Sequence, residues 1–387
     1  MNEPKLRFPE FKDLWNNHKI EDMFDRVGTP VDLDDTHTYR EIGIRSHGKG
    51  IFHKDETTAS EIGNKRVFWV EPNCFVVNIV FAWERAVAKT TDAESGMIAS
   101  HRFPMYKPKK DVVDLDYITE YFITKRGQNV LILASPGGAG RNKTLGQKEF
   151  AKSVVKLPSL PEQQKIAEFL STIDTVIEKQ KATVEAWEER KKGVMQKLFS
   201  QEVRFKADDG SEFPDWEEKK LEDVVEFLDG QRKPLEAGKR MAGEYPYYGA
   251  SGIIDYVDNY IFDEELILLS EDGANILDRN YRVCFLARGK YWVNNHAHVL
   301  RAMRGNVNGF LCEQLESFDY RKYNSGSAQP KLNQETCRSI IVNVPCLDEQ
   351  QKIADCLSAL DDVIEKQKAT LAAWEEMKKG LLQQMFV

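Results

Sequence analysis

Three observations predict an α/β (α+β) architecture: two domains of mixed strands and short helices, joined by two long helices packed as an antiparallel coiled coil with pseudo-twofold symmetry. First, the octapeptide VIEKQKAT occurs twice, at Val176–Thr183 and Val363–Thr370. Second, the stretches around both copies carry a heptad-like apolar stripe with no interrupting proline. Third, the rest of the chain consists of short apolar runs bounded by Gly, Asn and Asp, the pattern of strands and turns.

With 387 residues the chain is too long for one small core. Its 41% apolar and 30% charged composition suits a soluble globular protein with highly charged helices. The start, MNEPKLRFPEF, lacks a signal-like apolar run, and no stretch approaches the roughly 18 apolar residues of a membrane span, so a cytoplasmic protein without membrane contact is expected. Six cysteines without a CxxC pair signal neither a zinc knuckle nor a disulfide framework, and are read as reduced thiols. A net charge of −8 argues mildly against nucleic-acid binding. Its distribution matters more: residues 1–206 carry +3 and residues 207–387 carry −11.

Followed outward from the octapeptide, the match runs from Glu162–Phe199 to Glu349–Phe386 at an offset of 187 residues. EQQKIA opens both copies, AWEE follows, and KKG comes near the end. Apolar positions fall at Ile166, Leu170, Ile173, Ile177, Val184, Trp187, Val194 and Leu198. In the second copy they are Ile353, Leu357, Leu360, Ile364, Leu371, Trp374, Leu381 and Met385. The steps of four and three are interrupted at Gln180 and Lys191, and at Gln367 and Lys378, which lie on the same seam. Each helix begins after Pro158 or Pro345, and Pro161 sits in a first turn that tolerates a missing N–H. Such a helix spans roughly 57 Å at about 1.5 Å per residue. A single copy would be read as a helix packed on its own domain or as a homodimer seam. Two matched copies in one chain suit each other as antiparallel partners, with the seam Gln and Lys helping to fix register.

The entrances to the globular parts also match. FPEFKDLWNNHKIEDMF at Phe8–Phe24 resembles FPDWEEKKLEDVVEF at Phe213–Phe227, with an offset of 201 residues between Trp15 and Trp216. The plan is domain, helix, domain, helix, with expected boundaries 1–156, 157–203, 204–343 and 344–387. A frame duplicated in this way, with divergent interiors, should read two different things with one geometry.

Within the globular parts, RVFWV, CFVVNIVFAW, NVLILAS, ELILLS and YRVCFLA are read as strands. GEYPYYGASGIIDYV (Gly243–Val257) is read as a strand with turns whose tyrosines fill a core in preference to stacking on bases. The later part of the acidic half still holds a basic group that includes Arg279, Arg288, Lys290, Arg301 and Lys331, so a localised basic face is expected.

NVLILASPGGAGRNKT (Asn129–Thr144) approaches a phosphate loop, yet Asn142 stands where the pattern needs Gly, and no acidic strand end suited to magnesium follows. A turn-rich loop touching DNA phosphates or linking two elements fits better. Its counterpart is YNSGSAQPKLNQ (Tyr323–Gln334), since Leu332 maps to Leu145 at the helix offset. Small residues together with Arg141 and Lys143, or Gln329 and Lys331, suit phosphates and base edges. PDWEEK crowds its acids at one helix entrance, unlike a nuclease site. His296 and His298 lack an indicated third ligand, so no metal is expected. Neither an Asn-Pro-Pro-Tyr-like motif nor a methyl-donor glycine motif is present, and no catalytic residues are assigned.

The chain resembles the specificity (HsdS-type) subunits of type I restriction-modification systems over its whole length. The resemblance rests on LPSLPEQQKIAEFLSTID (Leu157–Asp174) and its echo VPCLDEQQKIADCLSALD (Val344–Asp361), on WEERKKGVMQKLF and WEEMKKGLLQQMF, and on YNSGSAQPKLN. The first half departs at its loop, reading GGAGRNKTL. The resemblance implies a non-catalytic reader of double-stranded DNA, with two target recognition domains on the halves of a split site and helices that set the spacer. Two modification subunits would dock on it, bringing S-adenosylmethionine and methylating adenine at N6. Two restriction/motor subunits would bring ATP and magnesium, so that no cofactor is expected on this chain. By polarity and loop position, the DNA-facing candidates are Arg102, Lys125, Arg141, Asn142, Lys143, Arg279, Asn295, His296, Ser327, Gln329 and Lys331. A coiled-coil scaffold without DNA readout is the alternative.

Overall fold

The computed structural model describes residues 4–137, 143–326 and 329–386. The chain forms two compact units, Met1–Gln180 with Thr370–Val387, and Lys181–Ala369. The two long helices, Leu160–Phe199 and Leu347–Met385, each give one segment to each unit.

In the first unit, Asn16–Lys19 pairs antiparallel with Val154–Leu157, joining the start and end of the globular part just ahead of the first long helix. Beyond this ribbon lies a four-stranded sheet in the order Phe24–Val27, Met105–Pro108, Phe75–Val77, Val87–Lys89. A five-stranded sheet has the order Thr29–Pro30, Val67–Trp69, Ile98–Ser100, Thr38–Ile44, Ile51–Thr58. Aromatic rings dominate the core: Phe75 packs 5.1 Å from Phe122 and 5.8 Å from Phe24, and Tyr106 lies 5.5 Å from Phe150. Each such buried ring contributes on the order of 1.5–3 kcal/mol by leaving water. Ile166 and Leu170 of the first long helix and Met385 and Phe386 at the end of the chain complete this core.

The run NVLILAS, expected as a strand, instead ends a helix spanning Lys125–Leu133. Thr124 starts it, its hydroxyl accepting from the Gly127 amide at 3.2 Å. A Cβ at Gly127 would lie 2.2 Å from the Tyr121 carbonyl oxygen, so only glycine permits the close turn from the preceding helix, Leu115–Ile123. Leu131 is buried while Leu133 is 83% exposed, a helical one-sidedness that a short apolar run cannot reveal in sequence.

The second unit repeats the plan. Glu217–Lys220 pairs with Ile341–Val344, and a four-stranded sheet has the order Val225–Phe227, Ala297–Ala302, Leu266–Ser270, Cys284–Ala287. A second four-stranded sheet has the order Gly252–Val257, Ala242–Gly249, Lys290–Val293, Phe262–Asp263. Leu266–Ser270 is buried along its whole length, as the continuous run ELILLS requires of a central strand. Of the tyrosines in the Gly243–Val257 stretch, Tyr247 is buried and accepts from the Leu235 amide at 2.9 Å, whereas Tyr256 is half exposed. The core joins Ile267, Leu269, Leu300 and Phe310 to Leu198, Ile353 and Leu357 of the long helices.

Within each unit the helix segments run antiparallel. In the second unit Glu188 meets Lys368 while Lys191 meets Asp361, so advancing along one helix retreats along the other. In the first unit Asp174 meets Lys378, and Ile166 and Leu170 share a core with Leu381 and Met385. The stripe residues Ile166, Leu170, Ile173, Ile177, Val184, Leu198, Ile353, Leu357, Ile364 and Met385 are buried. Trp187, Val194, Leu360, Leu371, Trp374 and Leu381 are half-buried. All six cysteines are free thiols, and burial pushes the Cys74 thiol up to about 11. Among the described residues no helix is long and apolar enough to cross a membrane.

Candidate nucleic-acid interface

The repeated EQQ motif anchors each globular part to its long helix. Glu162 is buried and takes a two-pronged ion pair from Arg7, at 2.7 and 2.8 Å. Glu349, fully buried, takes the same fork from Arg204 at 3.1 and 2.7 Å, together with the Trp216 indole N–H at 3.1 Å. Hydrogen bonding to Glu349 raises the Arg204 pKa above its ordinary value. The next residue ties down the chain ahead of a globular helix: Gln163 accepts from the Asp114 amide, and Gln350 from the Val307 amide, both at 3.0 Å. Sequence reading used these residues to recognise the repeat and missed their role. Their signal was a pair of identical polar residues in a first turn that is buried.

Each anchor leaves the far end of the adjoining four-stranded sheet to present polar groups. In the second unit, Leu266–Ser270 runs into Glu271–Gly273, which pairs with the returning loop. The Gly273 amide donates to the Pro330 carbonyl at 3.0 Å and the Leu332 amide to the Glu271 carbonyl at 2.8 Å. Asn324 folds that loop, its Oδ1 accepting from the Gly326 and Lys331 amides at 3.0 and 2.9 Å. A Cβ at Gly326 would fall 1.8 Å from the Gln329 carbonyl oxygen, so glycine is required there.

Beneath the loop lies His298, which is 1% exposed. Its Nδ1 is 2.7 Å from Asp229 Oδ2 and its Nε2 is 2.8 Å from the Leu332 carbonyl oxygen. Both partners can only accept, so both ring nitrogens carry hydrogen and the ring is an imidazolium. Burial opposes that charge, but the hydrogen bond to Asp229, aided by Cys337, pushes the pKa up to about 10. Gln334 and Arg232 also hold Asp229, at 2.9 and 3.5 Å, and Arg232 donates to Glu271 at 2.7 Å.

Asn295, His296, Gln329 and Lys331 are thereby gathered at one sheet end, all exposed. His296 Nδ1 donates to the Asp272 carboxylate at 2.8 Å, and Lys331 lies 3.4 Å from Glu271. Arg279 follows the same turn, but its guanidinium donates to Glu316 at 2.9 Å. In the first unit Arg102 and Lys125 are exposed and Lys143 is half-buried. Arg102 stands at the sheet end; Lys125 opens the helix Lys125–Leu133. Arg141, Asn142 and Ser327 lie outside the described residues. Each histidine of the NNHAHV stretch has its own acid, and the described residues hold no group of three or more His, Cys, Asp or Glu able to bind a metal.

Comparison with known proteins places this geometry in a family. The family described as type I restriction modification DNA specificity domain matches twice, over residues 13–186 and 214–373. A putative type I restriction enzyme specificity subunit of Haemophilus influenzae is 36% identical over 152 residues, 39% of this chain and 38% of the relative, so the match spans well under half of that protein. A putative MjaX specificity subunit of Methanocaldococcus jannaschii is 26% identical over 300 residues, 72% of this chain and 68% of the relative. The fold is similar to the crystal structure of a type I restriction-modification S subunit from M. genitalium, with a TM-score of 0.62 at 16% identity over 100% of this chain and 99% of that one. With two domain matches covering most of its length, the chain belongs to the family of type I restriction-modification DNA specificity subunits.

Proposed function

We propose that the chain reads a bipartite site in double-stranded DNA, one half-site per globular unit, and performs no catalysis itself. The long helices set the spacer and dock two modification subunits that methylate adenine at N6. S-adenosylmethionine acts on those subunits, and ATP and magnesium on two restriction/motor subunits in the full complex. The observation that carries the reading is the duplication of one hydrogen-bonded frame that offers different polar side chains at its end in each unit. One frame with two sets of surface groups is what reading two different sequences at a fixed geometry requires. In this reading the target adenine is turned out into the modification subunit's pocket, which needs no catalytic group here.

The acidic balance of the second half would also suit a coiled-coil scaffold without DNA readout. Duplex binding by the chain assembled with its modification subunits separates the two. The proposal expects binding that weakens steeply with salt and selects a split motif from a randomised library. Assembly without duplex binding would leave the scaffold.

A further inference from the structure

We infer that Arg102 and His296 are the corresponding base-contacting side chains of the two units, and that Arg102 reads a guanine in the half-site of the first unit. The inference rests on the DNA-reading function proposed above. The two residues share no sequence pattern, HRFPMY against NHAHVL, yet occupy one position in the duplicated frame. The Ile79 amide donates to the Arg102 carbonyl at 3.0 Å, and the Glu271 amide to the His296 carbonyl at 2.9 Å. The receiving strand continues identically: the Leu145 amide donates to Ile79 and the Leu332 amide to Glu271, each at 2.8 Å. The amides of Arg102 and His296 both face a side chain two residues earlier, Ser100 Oγ at 3.4 Å and Asn294 Oδ1 at 2.8 Å. The strand registers agree: three residues on from Arg102 and His296, Met105 lies opposite Val76 and Val299 opposite Leu268.

At this shared position the two side chains differ in what they can offer. Arg102 is exposed, and its guanidinium has no hydrogen-bond or ion-pair partner among the described residues. Its planar fork of donors matches the O6 and N7 acceptors of guanine. The cations at the other sheet end are engaged, Lys331 by Glu271 and Arg279 by Glu316. His296 commits Nδ1 to Asp272, which fixes the ring and leaves Nε2 as its one free polar atom. A single bond discriminates less than a fork, so the contact of the second unit is the weaker of the two.

The test is selection of methylated duplexes, by the complete complex with its modification subunits, from a library randomised across both half-sites. Wild type is expected to fix a guanine at one position of one half-site. Arg102→Ala should lose that preference by about 10–100-fold while the other positions stay fixed. Arg102→Gln should lose it too, and His296→Ala should cause a smaller loss at one position of the other half-site. A phosphate contact would instead make Arg102→Ala weaken all sequences evenly with the motif unchanged, which overturns the inference alone. A wild-type complex that selects no motif overturns the proposed function, and this inference with it.

Discussion

Lys191 donates to both carboxylate oxygens of Asp361 at 2.7 Å, across two antiparallel helix segments, and also lies 3.0 Å from Glu313 in the globular part of the same unit. The arrangement recurs 187 residues on, where Lys378 lies 2.7 Å from Asp174 and 3.2 Å from Glu120. Burial raises the Glu120 pKa, and it opposes the charge on Lys378, whose pKa is nonetheless raised by Glu120 and Asp174. The two lysines that interrupt the apolar seam are therefore ionic bolts that each tie two helix segments and a recognition domain together.

Removing the cation should leave the buried Glu313 held by Arg282 alone, at 2.5 Å on its other oxygen. Lys191→Met is expected to destabilise the second unit by about 2–3 kcal/mol, less than a fully buried pair because Asp361 is partly exposed. Adding Glu313→Gln should deepen that loss, because Arg282 then gives up its pair with Glu313 as well. Urea unfolding with hydrogen exchange resolved by unit would check both, and equal destabilisation of single and double variants would contradict the bolt.

The Glu349 clamp makes a second, optically visible prediction. Glu349→Gln removes the charge facing Arg204 and disturbs the Trp216 indole, so a loss of about 2–4 kcal/mol and a shifted tryptophan emission are expected. Denaturation followed by fluorescence measures them together. An unchanged midpoint would mean the clamp is decorative.

His298 links stability to pH. Its folded pKa of about 10 lies above the ordinary 6.5, so the protonated ring is the form the fold holds. The stabilisation is fully present below about pH 6.5 and is lost as pH rises through about 10, by up to a few kcal/mol. Facing it are Asp229, Glu271 and Cys337, with Arg232 behind the acids. Urea midpoints between pH 6 and pH 10 should fall for wild type and fall less for His298→Leu. Parallel profiles would show that His298 is not the titrating group.

The helices carry a prediction about spacing. One heptad inserted into each lengthens it by about 10 Å, or roughly 3 base pairs at about 3.4 Å per step. The recognised spacer should grow while both half-site sequences persist. Unchanged spacing in the methylated motif would remove the ruler role.

Sequence reading reached furthest where side-chain period carried the information. The duplicated stripe placed Leu170, Ile177, Leu357 and Ile364 in buried positions because helical packing repeats every three or four residues. It did not distinguish helix from strand for NVLILAS, where Thr124 and Gly127 decide the outcome outside the apolar run. The clamps of Glu162 and Glu349 were hidden because Arg7 and Arg204 lie more than a hundred residues away in sequence. Arg102 and His296 appeared as separate polar candidates. Their equivalence lies in backbone hydrogen bonds, which leave no trace in residue type.

DNA reading by this chain is tested most directly by single-molecule mapping of N6-methyladenine across the genome, in cells with and without this gene and with the modification subunit present. A split motif of two short half-sites at constant spacing, lost when the gene is deleted, is the expected result. A methylation pattern independent of the gene, or a single continuous motif, would contradict it.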